Sequence, residues 1–310
     1  MIARVAVIAY NTYREAVRAR VLHGLFGLAL ATCAYVLAVG AFANRAQLRV
    51  VSDLGAASVS IYGIVVAVVL GATSLYRELE LKTIFPILAR PIRRPEYLVG
   101  KYLGTLLTLS VFVAANVGAL LLALAEVSGK SLALCAGIAV AAVVVSGGVG
   151  FRFARARTWL PIPFAAFLLA AGVALASGAP DDRGVLVGSA LLTIFEVAIV
   201  TAVATLFSSF SSPFLTAVLT FGVFVVGRSA DTLANLPLRM FGPTMRALGQ
   251  TLGHVVPNLM LYVPERPLLT GEAEGANLAG YLGLSGAYAA AWVLGLLTLA
   301  SLVFRRRDFL

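Results

Sequence analysis

The sequence predicts an all-α membrane protein with six to eight spanning helices. Of its 310 residues, 60% are hydrophobic and only 12% are charged, and the mean hydropathy is +0.95. A water-soluble domain cannot bury that much apolar surface, so lipid is the expected surrounding. Eight apolar stretches approach the roughly 20 residues that a helix needs to cross a bilayer. The cysteines, Cys33 and Cys135, both lie in such stretches, which excludes a disulfide framework and argues against a cysteine metal site.

The eight apolar stretches are separated by polar segments. Their approximate bounds are 21–42, 54–76, 102–125, 131–151, 158–178, 184–207, 209–227 and 278–304. Glu196 is the one formally charged residue inside them. The fourth, fifth and seventh stretches are the least regular, because the fifth contains Pro161 and Pro163 and the seventh is short and begins near Pro213. If the fourth and fifth formed one re-entrant hairpin, six full spans would remain.

Basic residues are concentrated on one side of these spans. With the N-terminus in the cytoplasm, the inner segments carry 16 of the 24 Lys and Arg residues. Acidic residues show the opposite distribution, with five inside and eight outside. This positive-inside pattern explains the net charge of +10 without a nucleic acid partner. We therefore expect both termini in the cytoplasm and an even number of spans.

Residues 1–20 predict an amphipathic helix on the inner leaflet. Apolar and small residues recur there at helical spacing, with arginines on other parts of the helical wheel. Such a helix lies in the membrane interface with its arginines near anionic lipid head groups. The alternative is an irregular cytoplasmic start to the first span. We expect no cleavable signal peptide, because four arginines are spread over these residues and no long apolar core occurs among them.

The segment 77–101 carries an unusual density of polar residues between two spans. It contains six Lys or Arg residues, three prolines and the run E-L-E-L-K-T. A short helix is predicted over 76–88, followed by a turn, because Pro91 and Pro95 push the residues before them out of the helical region. A new helix is expected to begin near Glu96. Basic residues alone are enough to fix the topology, so that role does not explain the acidic residues and prolines in this segment. We therefore expect the segment to form a rigid element that a soluble protein contacts.

This segment resembles the cytoplasmic loop of permeases of the ABC type-two exporter family. The shared order is E-x-E-x-[GK]-T, a short apolar stretch, and then R-P-I-x-R-x-E-x-x-x-G-K. The matching positions are Glu78, Glu80, Lys82, Thr83, Arg90, Pro91, Arg93, Arg94, Glu96, Gly100 and Lys101. Three more stretches resemble the family: an amphipathic entry helix at 11–22, an external-loop element with Pro257 and Asn258, and a basic cytoplasmic exit at 304–309.

The resemblance implies the membrane-spanning permease subunit of an ATP-driven exporter in a bacterial cytoplasmic membrane. Segment 77–101 would act as a coupling element that docks onto a dimer of a cytoplasmic ATPase subunit, and a second permease copy or a paralogue would complete the path. ATP and magnesium would bind the ATPase, so no cofactor or metal is expected on this chain. Residues 1–310 would form one permease domain, with an external loop at 228–277. Residues 126–183 add to the family's usual six spans, and their role is not predicted.

Glu196 supports an alternative function, a proton- or ion-coupled carrier. A charged residue at the centre of a spanning helix costs about 2.5–3.5 kcal/mol on insertion scales, so it is a candidate for function. Asn116 on the third span is a candidate hydrogen-bond partner. A purely structural hydrogen bond between helices explains Glu196 equally well.

Two short motifs resemble catalytic sequences without supporting an enzyme. Ser128–Ser131 reads S-G-K-S, but Leu124 stands where a P-loop requires glycine. Gly283–Gly286 resembles the serine motif of intramembrane rhomboid proteases, yet both histidines, His23 and His254, precede it instead of following it. Close helix packing explains these small residues more simply. We expect no enzymatic activity on this chain.

Overall fold

The structure, a computed structural model, describes residues 2–18, 20–80, 93–272 and 277–305. Within these ranges it contains α-helices and short 3-10 turns and no strand, which confirms the predicted all-α fold. The α-helices are α1 (Ile2–Arg18), α2 (Arg20–Phe42), α3 (Gln47–Glu80), α4 (Arg94–Val127), α5 (Leu132–Arg152), α6 (Pro161–Leu175), α7 (Pro180–Ser208), α8 (Pro213–Arg228), α9 (Ala230–Ala234), α10 (Leu238–Val255), α11 (Arg266–Thr270) and α12 (Leu278–Arg305).

Seven of these helices, α2 to α7 and α12, are long and apolar enough to cross a membrane, where α6 is counted together with the 3-10 turn that continues it to Gly178. The chain is therefore a multi-pass membrane protein. The fourth and fifth predicted stretches form two separate helices, α5 and α6, instead of one hairpin within a single span. The seventh stretch forms α8, which has only 16 residues. At 1.5 Å per residue it is about 24 Å long, so it falls short of the roughly 30 Å hydrocarbon core.

Segments that the charge pattern assigns to one side meet at the same end of the bundle. At one end, α1 packs along the start of α4, and Arg94 donates from Nη1 to the Phe304 carbonyl at 3.3 Å. We call this the α1 end. At the opposite end, Arg266 of α11 forms ion pairs with Asp53 of α3 and Asp182 of α7. We call this the α11 end. Thus α3 and α7 both begin at the α11 end, as the predicted alternation of spans requires.

The helices α3, α4 and α7 form the centre of the bundle, and the added pair α5 and α6 covers the outer side of α4. Helix α6 approaches α4 closely, because a Cβ atom on Gly118 would lie 2.7 Å from the Leu168 carbonyl carbon. A Cβ atom on Gly172 would likewise lie 2.6 Å from the Leu121 Cβ. Helix α5 packs loosely and exposes large residues such as Val144. Residues 126–183 therefore add an outer layer to the bundle.

We expect the substitution Gly118→Val to destabilise the protein because the new side chain overlaps the α6 backbone. Overpacking of this kind costs about 1–3 kcal/mol. The matched control is Gly137→Val in α5, where a Cβ atom meets nothing within 4 Å. Thermal unfolding in detergent should give a lower midpoint for Gly118→Val than for Gly137→Val. Equal midpoints would contradict the close packing of α6 on α4.

Candidate functional site

The charge inside the membrane at Glu196 is neutralised by Arg228. Glu196 lies in the middle of α7, and Arg228 is the last residue of α8. Arg228 donates from Nε to Glu196 Oε1 at 2.8 Å and from Nη2 to Oε2 at 3.0 Å. Nη2 also donates to Ser60 Oγ of α3 at 2.7 Å, and this hydroxyl donates to Glu196 Oε2 at 3.2 Å. A closed set of charge-assisted hydrogen bonds therefore joins α3, α7 and α8.

The sequence located Glu196 but not its partners. Asn116, the candidate partner on α4, has a buried Nδ2 with no hydrogen-bond partner among the described residues. Arg228 and Ser60, and not Asn116, are therefore the partners of Glu196. The sequence pattern places Arg228 in the external loop, just beyond the seventh span. Arg228 reaches Glu196 because α8 is too short to carry it past the membrane. The short length of the seventh apolar stretch is the one sequence feature that indicates this position for Arg228.

The segment 256–264 enters the bundle beyond the end of α8. The Leu259 backbone N–H donates to the Gly227 carbonyl at 3.0 Å, and Leu259 and Tyr262 are both buried. The Tyr262 hydroxyl donates to the Ser285 carbonyl at 3.1 Å. Ser285 lies about 10 Å along α12 from its first residue, at 1.5 Å per residue. The segment is therefore re-entrant, and it fills the space that the short α8 leaves open.

Asn258 holds this re-entrant segment in place. Its Nδ2 donates to Asp231 Oδ1 at 2.8 Å, and its Oδ1 accepts from the Met260 backbone N–H at 3.0 Å. Its own backbone N–H donates to the Tyr288 hydroxyl of α12 at 2.9 Å. Pro257 precedes it, with its carbonyl against Gly227. The predicted external-loop element thus fastens the re-entrant segment to α8, α9 and α12.

A second polar cluster lies at the α11 end. Arg266 forms ion pairs with Asp53 and Asp182, and it donates to Ser52 Oγ at 3.0 Å. Ser52 in turn donates to Asp182 Oδ1 at 2.7 Å. Burial lowers the pKa of the Arg266 guanidinium, but the two carboxylates raise this pKa by more, so the group stays charged. The cluster ties the start of α3 to the start of α7 through α11.

A cavity of about 510 Å³ lies between the two polar clusters. Arg228 and Ser60 line one part of it, and Asp53 and Arg266 line another. Its remaining wall is mostly apolar and comes from α3, α7, α8, α11 and the re-entrant segment. This volume and this mixture of apolar wall with a few polar groups are typical of sites for small molecules.

The predicted coupling residues divide into those that lie outside the described residues and those that lie within them. Four of them lie outside the described residues, as do the side chains of two more: Lys82, Thr83, Arg90 and Pro91, and the side chains of Glu78 and Glu80. The other five are described and lie in or next to the first turns of α4. These are Arg93, Arg94, Glu96, Gly100 and Lys101.

Three of the described residues hold α1 against α4. Glu96 accepts from the Arg93 backbone N–H at 3.4 Å, and its Oε2 lies 3.9 Å from Arg4 Nη1 of α1. Lys101 is buried and lies 3.5 Å from Glu15 Oε2 of α1. A Cβ atom on Gly100 would lie 2.7 Å from the Ile8 side chain, so only glycine allows this approach.

These contacts give part of the motif an internal role that the sequence did not indicate. Glu96, Gly100 and Lys101 connect two helices of the same chain. Arg94 is partly buried beside the end of α12, whereas Arg93 is exposed at the first turn of α4. Among the described motif residues, Arg93 therefore has the most exposed side chain.

We expect Glu196→Gln to destabilise the fold, because it leaves Arg228 without its carboxylate partner. Breaking a buried ion pair on one side costs about 3–5 kcal/mol, and water that reaches Arg228 would reduce this loss. The double variant Glu196→Gln/Arg228→Gln should recover part of the loss. Thermal unfolding of both single variants and the double variant measures the coupling. The control Glu265→Gln changes an exposed carboxylate, and a loss no larger than this control would contradict the pair.

We also expect Gly104→Val to release α1 from α4. A Cβ atom on Gly104 would lie 2.3 Å from the Ala9 carbonyl oxygen, so the two helices must move apart. Hydrogen exchange of the amides in residues 2–18 should become at least about tenfold faster, because local opening follows the lost packing energy. The variant Gly147→Val is the control, since a Cβ atom there meets nothing within 4 Å. Unchanged protection of α1 in Gly104→Val would show that the contact is not tight.

Comparison of this chain with protein-family models and with curated proteins finds no match. A functional assignment therefore depends on the sequence pattern and on the geometry of the two ends and the cavity.

Proposed function

We propose that this chain is the membrane-spanning permease subunit of an ATP-driven ABC exporter in a bacterial cytoplasmic membrane. The observation that supports this most is the length of α3 and α4. Each has 34 residues, or about 51 Å at 1.5 Å per residue, whereas a bilayer with its head groups is about 40–45 Å thick. Both helices extend toward the segment 81–92 that connects them. At this length each helix can extend beyond the lipid, where a soluble protein can contact it.

The described part of the α1 end supports a rigid docking element. Helix α1 is fastened to the first turns of α4 by two ion pairs and by glycine contacts at Gly100 and Gly104. The end of α12 contacts the same turns through Phe304, whose ring stacks on that of Tyr97. A push on segment 77–101 would therefore be passed to α1, α4 and α12 together. Transmission of force from an ATPase to the spans requires this kind of stiffness.

The charge distribution supports a cytoplasmic location for the α1 end. Sixteen of the 24 basic residues fall in segments assigned to that side. The ATPase partner, with its ATP and magnesium, would bind there. A second copy of this chain or a paralogue would complete the translocation path, with the α11 end facing outward.

The alternative, a proton- or ion-coupled carrier that uses Glu196, has less support. A carboxylate that carries protons must lose and regain its charge during each cycle. Glu196 is 0% exposed, and the bidentate pair with Arg228 holds its carboxyl group in one position away from water. We therefore assign Glu196 a structural role.

Purification of the tagged chain from its native membrane in mild detergent tests the proposal. We expect a soluble ATPase to copurify in stoichiometric amount, and we expect Arg93→Glu to reduce its recovery at least about tenfold, since it reverses an exposed charge in the docking element. Arg155→Glu is the matched control. It reverses another exposed arginine on the same predicted side and so perturbs the topology signal equally.

Recovery of the ATPase with wild type and Arg155→Glu, but not with Arg93→Glu, would support the proposal and locate the docking site. Equal loss in both variants would point to disturbed topology instead of a docking contact. A chain that purifies alone from cells in which it is functional would contradict the exporter proposal.

A further inference from the structure

We infer that the cavity between α3, α7 and α8 binds an uncharged amphipathic molecule. This ligand would have an apolar body and a hydrogen-bond-accepting head, such as an ester or a hydroxyl group. The site lies within one copy of the chain. The inference concerns binding alone, so it does not depend on the proposed ATPase partner.

Arg228 keeps N–H groups that no described residue of the chain uses. A guanidinium has five N–H donors. Nε and Nη2 of Arg228 bind Glu196 and Ser60, but Nη1 makes no hydrogen bond to any described residue. Phe224 covers the guanidinium from one side, with Arg228 Cζ 5.7 Å from the ring centroid. Because Arg228 lines the cavity, its unused donors are available to an acceptor on a ligand.

Helix α7 contributes two hydroxyl groups to the cavity wall. Ser189 and Thr193 are four residues apart, so they lie on the same face of the helix, and both line the cavity. Neither hydroxyl has a hydrogen-bond partner in the described part of the chain. Together with Arg228, they place three unsatisfied polar groups on the wall of one cavity. A few convergent polar groups in an apolar wall orient a ligand in many small-molecule sites.

The rest of the cavity wall is mostly apolar. Ile61 and Ile64 come from α3, Val185 from α7 and Leu269 from α11. An aliphatic chain could bury its surface against these side chains, at roughly 25 cal/mol per Å² of apolar area removed from water. A polar ligand without such a chain would leave this wall uncovered.

The charges around the cavity exclude a strongly charged ligand. Arg228 is neutralised by Glu196. Arg266 is paired with Asp53 and Asp182, and Asp53 is also 3.6 Å from Arg49. Each positive group is thus matched by a carboxylate. An anion or a cation would lose its hydration on entry without meeting an uncompensated opposite charge, whereas an uncharged head group avoids that penalty.

Photocrosslinking of the whole chain in lipid nanodiscs tests this inference. The probe is monododecanoylglycerol with a diazirine in its acyl chain, and the labelled residues are mapped by mass spectrometry. We expect labelling at the cavity-lining positions within 53–64 and 185–193. Unlabelled monododecanoylglycerol should compete, whereas dodecanesulfonate and dodecyltrimethylammonium should compete at least about tenfold less well.

Three variants make the test specific. Ser189→Phe fills the cavity and should abolish labelling there. Leu191→Phe, on the exposed side of the same helix, is the matched control and should leave labelling unchanged. Thr193→Val keeps the shape of the side chain but removes the hydroxyl, and it should weaken competition about three- to tenfold, the loss expected for one hydrogen bond.

Labelling that is spread evenly over the lipid-facing helices and is insensitive to Ser189→Phe would overturn the inference. Stronger competition by dodecanesulfonate or dodecyltrimethylammonium than by monododecanoylglycerol would overturn the assignment of an uncharged ligand. If Ser189→Phe does not fold, Thr193→Val and the three competitors still decide the matter.

Discussion

The ion pair between Glu196 and Arg228 determines how the half of the bundle nearer the α11 end is arranged. Helix α8 is too short to cross the membrane, and this pair fixes its last residue against α3 and α7. Space remains between the end of α8 and the α11 end. The re-entrant segment 256–264 fills part of that space, and the cavity occupies another part. The pairing of Glu196 inside the membrane therefore positions the residues around the cavity in which a ligand can bind.

The two ends of the bundle differ in chemistry, and this difference supports the functional proposal. At the α1 end, ion pairs and close glycine contacts join α1, α4 and α12 into one stiff unit. At the α11 end, the ion pairs of Arg266 join α11 to α3 and α7 beside the cavity. Helices α3 and α7 run between the two ends. A displacement at the α1 end can therefore be transmitted along α3 and α7 to the cavity. An ATPase that acts on a distant binding site requires such transmission.

Much of the fold could be predicted from the sequence because the signals are local. Apolar length identifies each spanning helix, and the count of basic residues separates the two sides. The partner of Glu196 could not be predicted, because Arg228 is 32 residues away and no fixed spacing connects two packed helices. For the same reason, the contacts of Lys101 with Glu15 and of Asn258 with Asp231 could not be predicted from the sequence. The motif identified important residues at the α1 end, but only packing revealed that Glu96, Gly100 and Lys101 act within the chain.

The sidedness of the two ends is the central claim, because both the docking of an ATPase and an outward-facing cavity depend on it. It can be measured by labelling single cysteines in intact cells with a membrane-impermeant maleimide, after Cys33 and Cys135 are replaced by alanine. Ala154→Cys reports on the exposed connection between α5 and α6 near the α1 end, and Ser131→Cys reports on the exposed connection between α4 and α5 at the opposite end. We predict that Ser131→Cys is labelled in intact cells and Ala154→Cys only after permeabilisation. Labelling of Ala154→Cys in intact cells, with Ser131→Cys protected, would contradict this sidedness.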